Sequence, residues 1–249
     1  MKTFPQMQYQ RIDFDEKQKR AEEILAQMET ADCFDELRDG VMSFNRLVSE
    51  IQTQATIASI RNTLDTTDEF YEKEQAYYDE KLPVFADYEN RYYQLLLNSR
   101  FQDEIIGAWG DNILKLAQVT VKSFSPQIVA EMQEDNRLSS EYQKLVATTL
   151  IEYNGKKYNL PGLTKFLQDD DRNVRRSAFQ AFTTFFADKE AELDDLYDKL
   201  VKVRTRMARK MGLDNFVQLG YYRMLRCDYN ASDVEKFRDQ VEKFLVPLC

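Results

Sequence analysis

The chain has 249 residues, 43% of them hydrophobic and 31% charged, enough apolar material for one large or two small soluble domains. Its formal net charge is −9, and no basic face relieves it, which speaks against partners built on nucleic-acid phosphate or anionic lipid. Histidine is absent from the sequence, which excludes Ser-His and Cys-His nucleophilic machinery, HExxH zinc sites and any histidine general base.

Seven Gly and five Pro are few for this length, so long helices are expected. A charged amphipathic helix is predicted from about Asp15 to Met28. A second starts near Asp32 and runs to about Asn62, with Phe34, Leu37, Val41, Phe44, Leu47, Val48 and Ile51 on one apolar face. "LDTTDEF" reads as a break and restart, with Thr66, Thr67 and Asp68 all able to cap the next helix. That helix holds Pro83, where a kink or local break is expected. Its aromatics Tyr71, Tyr78, Phe85, Tyr88 and Tyr92 form a stripe, read as core packing and not as a cofactor box. Shorter helices follow near 103–108 and 111–122. Ser125–Pro126 marks another helix start, and Ser139 or Ser140 is expected to cap a short helix reaching Ala147.

The stretch "IEYNGKKYNL" at 151–160 breaks the pattern. Asn154–Gly155 is a strong hairpin signal, because a type I′ turn needs positive φ at both central residues. An isolated hairpin is marginal in water and must pack or pair with something. No convincing partner strand is visible elsewhere, so a partner beyond residue 249 is expected. After it, residues from the 169–171 acidic run to Gly212 read as one helix of roughly 38 residues, about 57 Å long at about 1.5 Å per residue. One of Asp169, Asp170 or Asp171 is expected to cap it, and Gly212 to end it. A further helix runs from about Asn215 to Arg223. The last, "SDVEKFRDQVEKFLVPL", opens on a Ser232-x-x-Glu235 capping box and carries Val234, Phe237, Val241, Phe244 and Leu248 on an apolar face. A chain ending on such a face reads as one that continues.

Candidate chemistry is thin. The Asp169–Asp171 run is read as capping rather than as a cation site, since adjacent residues point apart and no EF-hand spacing follows. Lys199, Lys202, Arg204, Arg206, Arg209 and Lys210 form the one basic concentration. It is read as structural, paired with Glu190, Glu192, Asp194, Asp195 and Asp198 one to three turns earlier. Cys33, Cys227 and Cys249 have no CxxC spacing and read as reduced thiols. With no run of about 18 apolar residues and no signal-peptide core, no membrane association is expected and the cytoplasm is the expected location. No catalytic, metal or substrate-binding residue is singled out by spacing. The expected architecture is all-α, a long-helix array with one β-hairpin near 148–160. Residues 1–147 form an N-terminal helical region, and 148–249 hold the hairpin and long helices.

The run from the hairpin onward also resembles a known family. The residues that carry it are "IEYNGKKYNLPGLTKFLQDDDRNVRRSAFQAFTTFF", "LDDLYDKLVKVRTRMARKMGLDNFVQLGYYRMLRCDY" and "VEKFRDQVEKFLVPL". Their order (hairpin, short helix, Asp-Arg-x-x-Arg, long helix, Gly-Leu-x-Asn-Phe, Tyr-Tyr-x-Met, Val-Pro) resembles the oligoendopeptidase F branch of the thimet-oligopeptidase-like zinc metallopeptidases. The resemblance implies half of a two-lobed, mostly helical fold around a channel, with short peptides as substrates. It implies zinc held by an HExxH helix and a later Glu in the full-length family member. No such motif is in this chain, so no catalytic or metal residue and no cofactor is carried over. The implied reading is an N-terminal, channel-forming half, inactive by itself, whose partner is the missing C-terminal catalytic half. The alternative is a stand-alone helical interaction protein derived from that scaffold.

Overall fold

The computed structural model describes residues 3–249. It is an all-α protein with one two-stranded sheet. The helices are α1 (Phe14–Glu29), α2 (Phe34–Leu64), α3 (Glu69–Leu97), α4 (Gln102–Trp109), α5 (Asn112–Ser123), α6 (Val129–Ala147), α7 (Leu160–Thr164), α8 (Arg172–Asp188), α9 (Glu190–Lys210), α10 (Phe216–Arg223) and α11 (Ala231–Gln240). Strands β1 (Ile151–Tyr153) and β2 (Lys156–Tyr158) lie between α6 and α7. The chain divides into two compact units. One comprises the residues up to Phe14, Leu47–Val84 and Val129–Met207; the other comprises Asp15–Arg46, Phe85–Ile128 and Ala208–Cys249.

Two clusters of contact stand out in the first unit, besides the buried Ile51, Ile57, Ala58, Leu138, Val203 and Met207. Its N-terminal segment is extended and tied down by side chains. Arg11 grips Glu74 through both Nε and Nη2, Tyr9 donates its hydroxyl to the same carboxylate, and Tyr77 donates to the carbonyl of Ile12 at 2.8 Å. Glu74 is 1% exposed, so these bonds replace the water it lost. Arg11 also lies over the Tyr77 ring, 4.7 Å from its centroid. The second cluster belongs to the hairpin. Asn154 and Gly155 have φ of 52° and 73°, and the register pairs Ile151 with Tyr158 and Tyr153 with Lys156. Ile151 and Tyr153 point to one face, as residues two apart in a strand must. They close on Leu160, Leu163 and Ala178, with Val146, Phe166, Phe182 and Phe185 packed around. The Tyr153 hydroxyl is 2.8 Å from Ser177 Oγ. The apolar face of the hairpin is thus buried on α7 and α8, within the chain, and no third strand accompanies it among the described residues. This corrects the expectation that the hairpin needs a partner beyond residue 249. Leu160 and Leu163, one helical turn apart, form a floor that sequence periodicity over five residues could not reveal.

In the second unit α1 and the first part of α2 approach closely at Gly40. A Cβ there would meet Met28 Cγ at 2.3 Å. Ile24, Leu25, Leu37, Val41, Phe44, Phe85, Tyr92 and Leu96 are buried. Phe44 stacks on Tyr92 with ring centroids 4.4 Å apart and an interplanar angle of 7°. Of the aromatic stripe of α3, Tyr78, Phe85 and Tyr92 are core, each 2% exposed, while Tyr71 and Tyr88 are half-buried.

Three expected boundaries change. The long rod predicted after the hairpin is two helices, α8 and α9, separated at Lys189, whose φ of −105° and ψ of 7° leave the helical range. Lys189 ends α8 through its N–H to Phe185 and Ala187, while Glu190 and Glu192 open α9 with the negative charge a helix start favours. Residues 129–147 are one helix, so Ser139 and Ser140 lie in mid-helix and cap nothing. The final helix starts earlier than Ser232. Asn230 caps it, accepting from the N–H groups of Ser232 and Asp233, and Asp233 returns the bond to the Asn230 N–H at 3.1 Å. Asp171 caps α8, Asn215 caps α10 and Asp68 caps α3, each accepting a backbone N–H two residues on.

Both Gly212 and Leu225 follow a helix with positive φ, 76° and 52°. At each, two reverse bonds close the helix end: Leu213 N–H to Ala208 O with Gly212 N–H to Arg209 O, and Arg226 N–H to Tyr221 O with Leu225 N–H to Tyr222 O. Glycine meets this geometry freely, whereas a leucine Cβ opposes it. Leu225→Gly is therefore expected to raise stability by about 1 kcal/mol. A lower urea midpoint for the variant would contradict this.

Candidate functional site

The first unit carries a groove of about 600 Å³ between the N-terminal half of α3 and α6, lined at one end by the last turn of α2. That volume lies within the range of about 300–1,000 Å³ common for ligand pockets. Asp68 sets the start of α3, and from there Glu72, Gln75, Ala76, Asp79 and Glu80 fall on one helical face at three- and four-residue steps. Across from them, Gln133, Arg137, Ser140 and Lys144 repeat the same spacing on α6.

Pro83 lies in α3 close to where the two helices meet. A proline inside a helix supplies no N–H to the carbonyl four residues back and crowds its neighbours. The expected local break does not occur: α3 is continuous from Glu69 to Leu97. Instead, the Asp79 carbonyl it would leave bare is taken by α6, which also reaches the next carbonyl. Asn136 Nδ2 donates to Asp79 O at 3.1 Å, and Gln133 Nε2 donates to Glu80 O at 2.8 Å. The Asp79 carboxylate accepts from Ser140 Oγ at 2.6 Å and from Gln75 Nε2 at 2.9 Å. Further ties across or beside the groove are Lys144 to Glu72, Arg137 to Glu141 and Arg206 to Glu134. Carboxylates outnumber cations along the lining, so the groove favours polar and positively charged groups.

Ser140 donates its proton to the Asp79 carboxylate, and both Asp79 oxygens accept from neutral donors. Among the described residues no three or more of His, Cys, Asp and Glu are grouped so as to hold a metal ion. One carboxyl is raised: burial pushes Glu89 above the usual carboxylate range. Glu89 lies on the other unit's part of α3, and no nucleophile or proton donor is hydrogen-bonded to it. Sequence reasoning missed Glu89, Asp79 and the groove. Only Pro83, a breaker within a helical pattern, signalled in advance that something unusual occurs there.

The clusters singled out by sequence turn to structure. The Asp169 carboxylate accepts from Asp171 N–H at 2.9 Å, and that of Asp171 from Asn173 N–H at 2.8 Å. In the basic run, Lys199 and Lys202 pair with Asp195 and Asp198, each at 2.6 Å and one turn back. Arg204 and Arg206 bind Asp135 and Glu134 of α6 instead, and Lys210 donates to the Gln127 carbonyl at 3.1 Å. The run therefore fastens α9 to its neighbours. Cys33, Cys227 and Cys249 are free thiols. No helix of the described residues is long and apolar enough to cross a membrane.

Residues 4–124 match the family described as the Peptidase M3 N-terminal domain. Three solved structures superpose on nearly all of the chain. PZ peptidase A, solved with an inhibitor, is 40% identical with a TM-score of 0.95 over 98% of this chain. A structure assigned as oligoendopeptidase F is 41% identical with a TM-score of 0.96 over 99%. Another so assigned, from Bacillus anthracis str. Ames, is 36% identical with a TM-score of 0.95 over 99%. The chain spans 44%, 44% and 45% of the length of these relatives, in that order. No curated protein matches it.

Proposed function

This chain belongs to the oligoendopeptidase F family of M3 peptidases, having the fold of its helical N-terminal half, and on that premise we propose that it supplies the substrate-admitting wall of a cytoplasmic peptidase for short peptides. The observation that carries the reading is identity of 36–41% sustained over nearly every residue of a chain less than half as long as its relatives. In this reading its own residues do mechanical work. They shape and limit access, and they exclude water and folded chains from the reacting bond.

The zinc implied by the family does not fit the residues present. There is no histidine, and the described carboxylates and thiols nowhere gather as a ligand set. Any metal chemistry of the whole enzyme belongs to residues outside this chain, and no step is assigned to it here. The apolar side chains of α11 and the turns after it support a further partner. Phe237, Phe244, Leu245, Val246 and Leu248 are all exposed, Leu248 by 82%, an unusual density for a finished surface. In the proposed reading they pack against the catalytic half. A stand-alone interaction module would have covered them.

The test is an assay of a quenched fluorescent short peptide with zinc present. The chain alone is expected to cleave nothing. Mixed with the residues of the Bacillus anthracis relative that lie beyond the matched 45%, it is expected to co-purify, to lose binding of a hydrophobic dye and to gain cleavage. Zinc-dependent cleavage by the chain alone would overturn the assignment, as would failure of the two parts to associate.

A further inference from the structure

A second groove, of about 460 Å³, lies on the first unit where the turn after α7 meets the start of α8. Its lining is Leu167, Arg172, Arg175, Arg176 and Phe179. No carboxylate lines it, in a chain whose net charge is −9.

The arrangement works against the helix that carries it. A helix start is the positive end of the macrodipole, and cations there are unfavourable. Arg172 and Arg176 are also four residues apart on one face, a spacing at which like charges repel. Arg175 is excused: its Nη1 donates to the carbonyls of Asp169 and Asp170 at 2.7 and 2.9 Å. Arg172 and Arg176 make no hydrogen bond, ion pair or ring contact with the described residues. The nearby carboxylates of Asp169 and Asp171 are turned to backbone N–H groups. Phe179, one turn beyond Arg175, is 58% exposed beside the guanidiniums. Two guanidiniums without a protein counter-charge and an exposed ring, against the helix dipole, form a surface complementary to an anion that brings apolar atoms with it.

We propose that this groove is a docking site for an acidic peptide segment in which carboxylates alternate with apolar side chains. The planar guanidiniums match carboxylates in a two-point fork, and Leu167 with Phe179 receives the intervening apolar side chain. The proposal does not depend on the peptidase reading. A segment of this kind is extended, and its alternate residues turn to one side, which suits a shallow groove with charge along one rim.

The experiment is fluorescence anisotropy with the 249-residue chain and a fluorescein-labelled hexapeptide of alternating glutamate and leucine. A second probe has glutamine in place of glutamate. Saturable binding of the first is expected, weakened by added sodium chloride, and about tenfold weaker for the glutamine probe. The double variant with Arg172→Gln and Arg176→Gln should lose about tenfold or more, and Phe179→Ala should also weaken binding. All three side chains are exposed, so the fold is retained, and a melt monitored by circular dichroism confirms this for each variant. Equal binding of the two probes overturns the proposal. So does an unchanged affinity in the double variant, or an unchanged affinity for a probe with alanine in place of leucine, which would make the groove a reader of charge alone.

Discussion

Replacing Arg11 by Met is expected to destabilise the protein by about 1–3 kcal/mol, because it leaves the buried Glu74 carboxylate without its cation, while the Arg11 side chain, 53% exposed, is partly screened by water. Glu74 is 1% exposed and Arg11 supplies two of its hydrogen bonds, with Tyr9 supplying another. The guanidinium bonds of Arg11, and secondarily the Tyr9 hydroxyl, hold the Glu74 carboxyl below its ordinary value of 4.5, against the opposing push of burial. A depressed folded pKa contributes stability that is present above the unfolded value and lost as pH falls through the folded one. The wild-type protein should therefore lose this contribution below pH 4.5. In the variant the sign reverses. An unpaired buried carboxyl rises, so its cost grows as pH climbs through the unfolded value. The difference between the two proteins in urea midpoint should accordingly be large near neutrality and shrink in acid. Adding Glu74→Leu to Arg11→Met should recover most of the loss, since it removes the unpaired charge. A loss below about 1 kcal/mol at neutral pH, or one independent of pH, would mean that the pair does not anchor the N-terminal segment. Tyr9 adds an alkaline limb. Burial first, and then its bond to Glu74, raise its phenol above the usual 10.0, so stability falls as pH climbs beyond that value.

Leu163→Ala is expected to cost about 2–5 kcal/mol, by lost transfer energy and by the cavity left under the hairpin. Leu163 is fully buried between Ile151, Tyr153, Leu160 and Ala178. A two-stranded hairpin has little stability of its own, so the effect should be concentrated there. Amide exchange at the paired positions Ile151–Tyr158 and Tyr153–Lys156 should accelerate more than in α3. If exchange in the hairpin were unchanged, its stability would come from somewhere other than α7 and α8.

These residues also mark how far the sequence could be read. Phe44, Phe85 and Tyr92 declared themselves by three- and four-residue spacing, since one buried face of a long helix imposes that period whatever it packs against. Asn154–Gly155 declared the hairpin, because few residue pairs accept two positive φ values. The family resemblance, carried by motifs from the hairpin to Val246–Pro247, agrees with a fold shared at 36–41% identity. Arg172 and Arg176 were quoted within a motif, but nothing in the order of residues shows that no carboxylate faces them. The Glu74–Arg11 pair was equally hidden, since its partners are 63 residues apart.

What the sequence by itself determined about this protein is local: which stretches are helical, where a turn reverses, which face of each helix is apolar, and that histidine chemistry is impossible. These follow from dihedral preferences and periodicity, which act over a few residues. The tertiary structure alone decided whether those pieces were satisfied. It seated the hairpin on α7 and α8, ended α8 at Lys189 and gave the carbonyl freed by Pro83 to Asn136. It also left Arg172 and Arg176 without a counter-charge. Satisfaction of a buried or charged group depends on atoms brought together from distant parts of the chain, and no local pattern encodes that.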